Sequence, residues 1–113
     1  AKQCLFNAIM ALIDKGDEVI IPAPYWVSYP DMVKLANGTP VIISSNISHC
    51  YKINPVQLEK AITPKTKMLI LNSPNNPSGM VYSHEELTAL AKVLLKYPDI
   101  FILTDDIYET ILW

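Results

Sequence analysis

The sequence predicts an α/β fold, a three-layer architecture with a mostly parallel sheet and helices on both faces. Three observations carry this. Short apolar runs alternate with helical patterns along the chain, the order expected of consecutive βαβ units. Four runs, Glu18-Val19-Ile20-Ile21, Pro40-Val41-Ile42-Ile43-Ser44, Met68-Leu69-Ile70-Leu71 and Ile100-Phe101-Ile102-Leu103, are near-continuously apolar rather than alternating. That pattern belongs to strands buried on both sides. Helix caps and proline stops fall between the runs.

The first element is a helix over residues 3–14. Leu5, Ile9 and Leu12 recur at helical spacing, with Phe6, Met10 and Ile13 beside them. So wide a stripe predicts a helix buried on much of its surface, with Cys4 as a buried free thiol. Asp14-Lys15-Gly16-Asp17 ends it, Gly16 serving as a left-handed cap. The Glu18–Ile21 strand is closed by Pro22 and Pro24. Ser28 is placed to cap a helix over about Tyr29–Ala36, with Pro30 in the first turn and Asn37-Gly38 as the stop.

After the strand at 40–44, residues 45–53 read as a polar loop. Asn54-Pro55 is a cap followed by proline at the first helical position, and Leu58 and Ile62 continue at helical spacing. Thr63-Pro64 closes that helix before the Met68–Leu71 strand. Ser83-His84-Glu85-Glu86 is a capping box. Leu87, Leu90, Ala91 and Leu94 form the apolar face behind it, Tyr97-Pro98 is the stop, and Ile100–Leu103 is the last strand. No internal repeat, low-complexity tract or linker interrupts this order.

The 113 residues make room for about one domain, with half of them hydrophobic and 18% charged. A net charge of −2 gives no footprint for nucleic acid or an anionic membrane. No apolar run approaches the roughly 20 residues of a membrane span, and no signal-peptide pattern opens the chain. Cys4 and Cys50 lie outside any metal-ligand spacing, so no metal is expected and a cytoplasmic location fits best. All nine basic residues are lysines, so the bidentate arginine that normally clamps a carboxylate is missing. Ala1-Lys2-Gln3 has no cap before it and Trp113 falls within an apolar stretch, which suggests a piece of a longer protein.

Two loops carry candidate chemistry. Asn72-Ser73-Pro74-Asn75-Asn76-Pro77-Ser78-Gly79 follows one apolar run, and Thr104-Asp105-Asp106-Ile107-Tyr108 ends another. In open α/β sheets, ligands bind outside the carboxyl ends of the strands. Asn76, Asp105 and Tyr108 then converge on one crevice. This set suits a pyridine ring with a phenolic oxygen, the chemistry of pyridoxal phosphate. Asp105 either pairs with a protonated ring nitrogen or caps a turn. Tyr108 and Asn76 either donate to the ring oxygen, or are a rim residue and a turn residue. Trp26, after the first strand, either stacks on the ring or packs in the core. Lys2 begins a helix whose backbone N–H groups suit a phosphate, or is an ordinary solvated lysine. Asp106 points elsewhere and is structural. His49, His84 and the remaining tyrosines receive no chemical role.

On these residues the chain resembles the class I aminotransferases of the pyridoxal phosphate fold type I superfamily. Ala1-Lys2-Gln3 looks like the end of the family's phosphate-loop segment. Gly16-Asp17-Glu18-Val19 and Pro24-Tyr25-Trp26-Val27-Ser28-Tyr29-Pro30 are very similar to the bacterial subgroup that includes aspartate/prephenate enzymes. Asn72 to Gly79 resembles the Asn-Pro-Thr/Ser-Gly motif, and Asp105-Asp106-Ile107-Tyr108-Glu109 the Asp-x-x-Tyr motif. The resemblance implies that residues 1–113 are part of the cofactor-binding large domain of a homodimeric transaminase. Its substrates would be aspartate, or a related amino acid on the prephenate/arogenate route, and a 2-oxo acid.

Residue by residue, the resemblance implies that Trp26 stacks on the cofactor and borders the substrate. Asn76 contacts the ring oxygen and the substrate carboxylate, Asp105 the ring nitrogen, and Tyr108 the ring oxygen. Ala1 and Lys2 contribute backbone donors to the phosphate. The family's Schiff-base lysine lies past Trp113. Lys67, which precedes its strand, stands at the wrong end of the sheet to replace it. The segment alone is therefore expected to be inactive. Other readings of the same residues are a fold type I C–S β-lyase, the sensor domain of an aminotransferase-like transcription regulator, and an α/β domain for another phosphate ligand.

Overall fold

A computed structural model describes residues 1–111. In chain order the elements are α1 (Lys2–Leu12), β1 (Glu18–Pro22), α2 (Ser28–Leu35), β2 (Thr39–Ile43), α3 (Pro55–Ala61), β3 (Thr66–Asn72), α4 (His84–Leu94) and β4 (Phe101–Asp105). The four strands form one sheet in the order β2-β1-β3-β4, and every neighbouring pair is parallel. From β1 the chain first steps outward to β2, then crosses back to β3 and on to β4. Strand order thus reverses between β1 and β3, the place where such sheets open a crevice at their carboxyl ends.

The two-residue period of the strands divides the core into two halves. Val19, Ile21, Met68 and Ile70 face α1 and α2, where Leu5, Ile9, Met32 and Val33 cover them. Ile20 and Leu69 point the other way and pack with Leu58 of α3 and Leu90, Val93 and Leu94 of α4. Each such side chain contributes about 1.5–3 kcal/mol on burial. The apolar runs of β1 and β3 are continuous because both faces are roofed by helices.

Local signals set the element boundaries. Asn54 and Gln57 form a reciprocal capping box at α3, with Pro55 at its first position. Ser83 and Glu86 do the same at α4. Asn37, after α2, takes a positive φ of 62° and Gly16 one of 95°.

The structure corrects several expectations. Helix α1 ends at Leu12 with an extended Ile13, so Gly16 serves the following turn and not the helix end. Val27, not Ser28, occupies the cap position of α2, and no side chain caps it. The buried face of α4 contains Val93, while Leu87 and Ala91 are exposed. Helix α1 is less buried than its composition suggests: Met10 and Leu12 face outward, and Cys4 is exposed. One helix presents only one side to a sheet, so surplus apolar residues remain outside. The residues 45–53 loop contains a short 3₁₀ turn, Ile47–His49. Strand β4 is exposed at its start and buried only at its last residue, Asp105. Phe101 and Ile102 are exposed, on one of the two edge strands of the sheet among the described residues.

Candidate functional site

The site is built from three strand ends. The segment after β1 supplies Trp26 and Tyr29, the end of β3 supplies Asn72 and Asn76, and the end of β4 supplies Asp105 and Tyr108. With Ala1, Lys2, Leu5 and Ile107, these residues line a cavity of about 280 Å³. Small-molecule pockets start at about this size. All six residues singled out from the sequence, Ala1, Lys2, Trp26, Asn76, Asp105 and Tyr108, border this one space.

Asp105 is its electrostatic centre. The residue is buried, at 7% exposure. Its Oδ2 accepts a 2.6 Å hydrogen bond from the Tyr29 hydroxyl. Its Oδ1 accepts a longer bond, 3.4 Å, from the backbone N–H of Ile107. Both donors are neutral. The ion pairs formed among the described residues are Lys52–Glu86 and Lys96–Glu59, and neither includes Asp105. A buried carboxylate is costly unless charge or donors meet it, and the protein meets Asp105 with these two neutral donors.

Tyr29 is buried at 2% exposure in the first turn of α2. Burial first, then the bond to Asp105 and its negative charge, push the phenol well above its ordinary pKa. The hydroxyl therefore stays protonated and remains a donor. The rings of Trp26 and Tyr29 meet edge to face, with centroids 5.6 Å apart at 89°. Lys2 Nζ lies 5.1 Å from the centroid of Trp26, which gives the cavity one cationic wall.

Asn76 and Tyr108 also border a second groove, lined by Pro74, Pro77 and Val81 among others. The Asn76 side-chain amide lies 3.5 Å from the Tyr108 hydroxyl, so the two polar tips face the same space. The backbone N–H of Asn76 donates to Asn72 Oδ1 at 2.8 Å. Ser78 is tied to Asn75 by its own N–H and hydroxyl, an internal turn rather than a ligand contact. Asp106 is exposed and accepts from the Thr104 hydroxyl. Lys67 is the second residue of β3, with its Nζ over the Phe101 ring at the far end of the sheet from the cavity.

Sequence reasoning missed two residues of the site. Tyr29 lay within the aromatic segment after β1, but its bond to Asp105 spans 76 positions. Asn72 opened the loop motif without a role of its own. Its side chain donates to the Asp105 carbonyl at 2.7 Å, and a polar side chain ending a buried strand was the available signal.

The pyridine-plus-phosphate cofactors fit this donor set: a carboxylate without a cationic partner for a ring nitrogen, two polar tips for a ring oxygen, and a helix start with a lysine for an anion. Parallel sheet, helices on both faces and a strand-end cavity together define an α/β domain of the doubly covered class. The chain belongs to the class I and II aminotransferase family, whose model matches residues 1–113. That family implies pyridoxal phosphate. The aspartate/prephenate aminotransferase of Nitrosomonas europaea is 66% identical over 111 residues, covering 98% of this chain and 28% of that protein. The enzyme of the same name from Cereibacter sphaeroides is 56% identical over 108 residues, covering 96% and 27%. Among solved structures, the aspartate aminotransferase of Rhizobium meliloti superposes with a TM-score of 0.97 at 50% identity, over 99% of this chain and 28% of that one. The Thermus thermophilus enzyme with maleate gives 0.88 at 46%, over 92% and 27%. This chain thus spans a little over a quarter of the length of these relatives. No helix among the described residues is long and apolar enough to cross a membrane.

Proposed function

We propose that residues 1–113 are part of the cofactor-binding large domain of a transaminase. The whole protein would transfer an amino group between aspartate, or a related amino acid on the prephenate/arogenate route, and a 2-oxo acid. It would act in the cytoplasm as a homodimer, with pyridoxal phosphate in the cavity bordered by Asp105. The observation that carries this reading is the buried Asp105 carboxylate, which faces that cavity with only neutral donors around it. Pyridoxal phosphate bound there supplies an electron sink for chemistry at the substrate's amino-bearing carbon.

The chain's own residues then have distinct tasks. Asp105 holds a proton on the ring nitrogen by a charge-assisted bond worth about 1.5–3 kcal/mol. Tyr29 keeps one oxygen of that carboxylate occupied and fixes its rotation. Asn76 and Tyr108 donate to the ring oxygen and favour its anionic form. Trp26 covers a face of the ring and borders the substrate, which Asn76 also contacts at its carboxylate. Backbone N–H groups at the start of α1, Ala1 and Lys2, receive the phosphate.

The segment alone should not turn over substrate, since it spans little more than a quarter of the length of its aminotransferase relatives. The reading is tested on the full-length protein by following visible absorption on adding pyridoxal phosphate and then aspartate. A cofactor band that changes with aspartate, and is restored by a 2-oxo acid, is the expected result. A protein that binds no pyridoxal phosphate overturns it.

A further inference from the structure

Asn72 is the last residue of β3 and is buried at 6% exposure. Its register partner across the sheet is Asp105, the last residue of β4. Its side-chain NH₂ donates to the backbone carbonyl of Asp105 at 2.7 Å. Its side-chain oxygen accepts the backbone N–H of Asn76 at 2.8 Å. One amide therefore grips the main chain of two residues on different strand ends. Those residues stand on opposite sides of the proposed ring site, one at its nitrogen and one at its oxygen. The Asn76 side chain in turn faces Tyr108, three residues beyond Asp105, at 3.5 Å. These contacts close a circuit from Asp105 through Asn72 and Asn76 to Tyr108 and back along the chain.

We propose that Asn72 is a positioning residue that sets the spacing between the ring-nitrogen partner Asp105 and the ring-oxygen donors Asn76 and Tyr108 before the cofactor arrives. The inference rests on the cofactor reading above. Neither bond of Asn72 goes to the ligand, so its influence passes wholly through the backbones it holds. An asparagine is required because the task needs one donor and one acceptor on a short, rigid stem. Aspartate offers the acceptor only and sets an anion against the Asp105 carbonyl. Serine retracts both groups and adds no charge. Placement errors of about 1 Å are enough to impair a site of this kind.

The test uses the full-length protein as wild type, Asn72→Asp and Asn72→Ser. Thermal unfolding, the dissociation constant for pyridoxal phosphate and the pH midpoint of the bound cofactor's visible band are measured. Both folded variants should bind the cofactor at least tenfold more weakly. Their midpoint should move upward, because donors displaced from the ring oxygen no longer favour its anionic form. A variant that melts earlier yet keeps the wild-type dissociation constant and midpoint shows a merely structural asparagine and overturns the inference. If neither variant folds, hydrogen exchange on the wild-type protein decides. The Asn76 amide should be protected already in the cofactor-free protein; protection appearing only on loading overturns the inference. A wild-type protein that takes up no pyridoxal phosphate instead refutes the cofactor reading itself.

Discussion

The Tyr29 hydroxyl donates to Asp105 Oδ2 across 2.6 Å, joining the helix after β1 to the end of β4. It leaves Asp105 with one oxygen engaged by a buried neutral donor and the other with a single long bond of 3.4 Å. The carboxylate is thereby oriented but not neutralised. A cationic ring nitrogen completes such a group where a second neutral donor would not.

Replacing Tyr29 by Phe removes that donor while keeping the ring against Trp26. Hydrogen bonds to charged groups contribute about 1.5–3 kcal/mol, so Tyr29→Phe should lower the unfolding free energy of the full-length protein by that amount. Denaturant unfolding measures it. A loss within experimental error of zero would show that the bond does not hold Asp105.

Replacing Asp105 by Asn keeps the shape and removes the charge. The bond lost to the ring nitrogen corresponds to about a 10- to 100-fold rise in the cofactor's dissociation constant. The rate constant for amino transfer should fall more steeply than binding, because an unprotonated ring is a poorer electron acceptor. Absorption titration and single-turnover kinetics separate the two effects.

Lys52 Nζ lies 2.6 Å from Glu86 Oε1 and ties the loop before α3 to the first turn of α4. The bond to Lys52 first, then the Ser83 N–H, holds the Glu86 carboxyl below the usual carboxylate range. A depressed native value means the stabilisation is complete above the unfolded value of about 4.3 and is lost as pH falls through the native one. Glu86→Gln keeps the capping geometry and should flatten the acid limb of the stability curve. Because the Glu86 side chain is 41% exposed, the loss at neutral pH should stay below about 1 kcal/mol. Unfolding at several pH values checks the slope.

Gly38 follows α2 where the chain enters β2. A methyl group there would lie 2.5 Å from Ile13 Cγ2 and 3.1 Å from Val33 Cγ1. Both neighbours belong to the core beneath α1 and α2. Gly38→Ala should therefore destabilise by about 1–3 kcal/mol through overpacking. An unchanged melting temperature would mean that the Ile13 side chain yields freely.

The parts of this molecule legible in the sequence are those encoded locally. The caps of α3 and α4 were readable because each lies within four consecutive residues, Asn54 to Gln57 and Ser83 to Glu86. Strands β1 and β3 were readable because burial on both faces leaves a continuous apolar run. Asn76, Asp105 and Tyr108 were readable as candidates because they follow such runs, and the structure gathers them with Ala1, Lys2 and Trp26 around one cavity. Tyr29 and Asn72 were not, since their partners lie 76 and 33 positions away and no local pattern encodes those pairings. Cys4 and β4 show the complementary failure. Apolar composition promised burial, but burial depends on what packs against each side chain, and Cys4, Phe101 and Ile102 stay exposed among the described residues.

The protonation state of the ring nitrogen tests the central claim most directly. Full-length protein loaded with pyridoxal phosphate labelled with ¹⁵N in the ring, studied by NMR at neutral pH, reports whether that nitrogen carries a proton. The account predicts a protonated ring nitrogen in the wild type and loss of that proton in Asp105→Ala. An unprotonated nitrogen in the wild type, or a protonated one that persists without the Asp105 carboxylate, would contradict it.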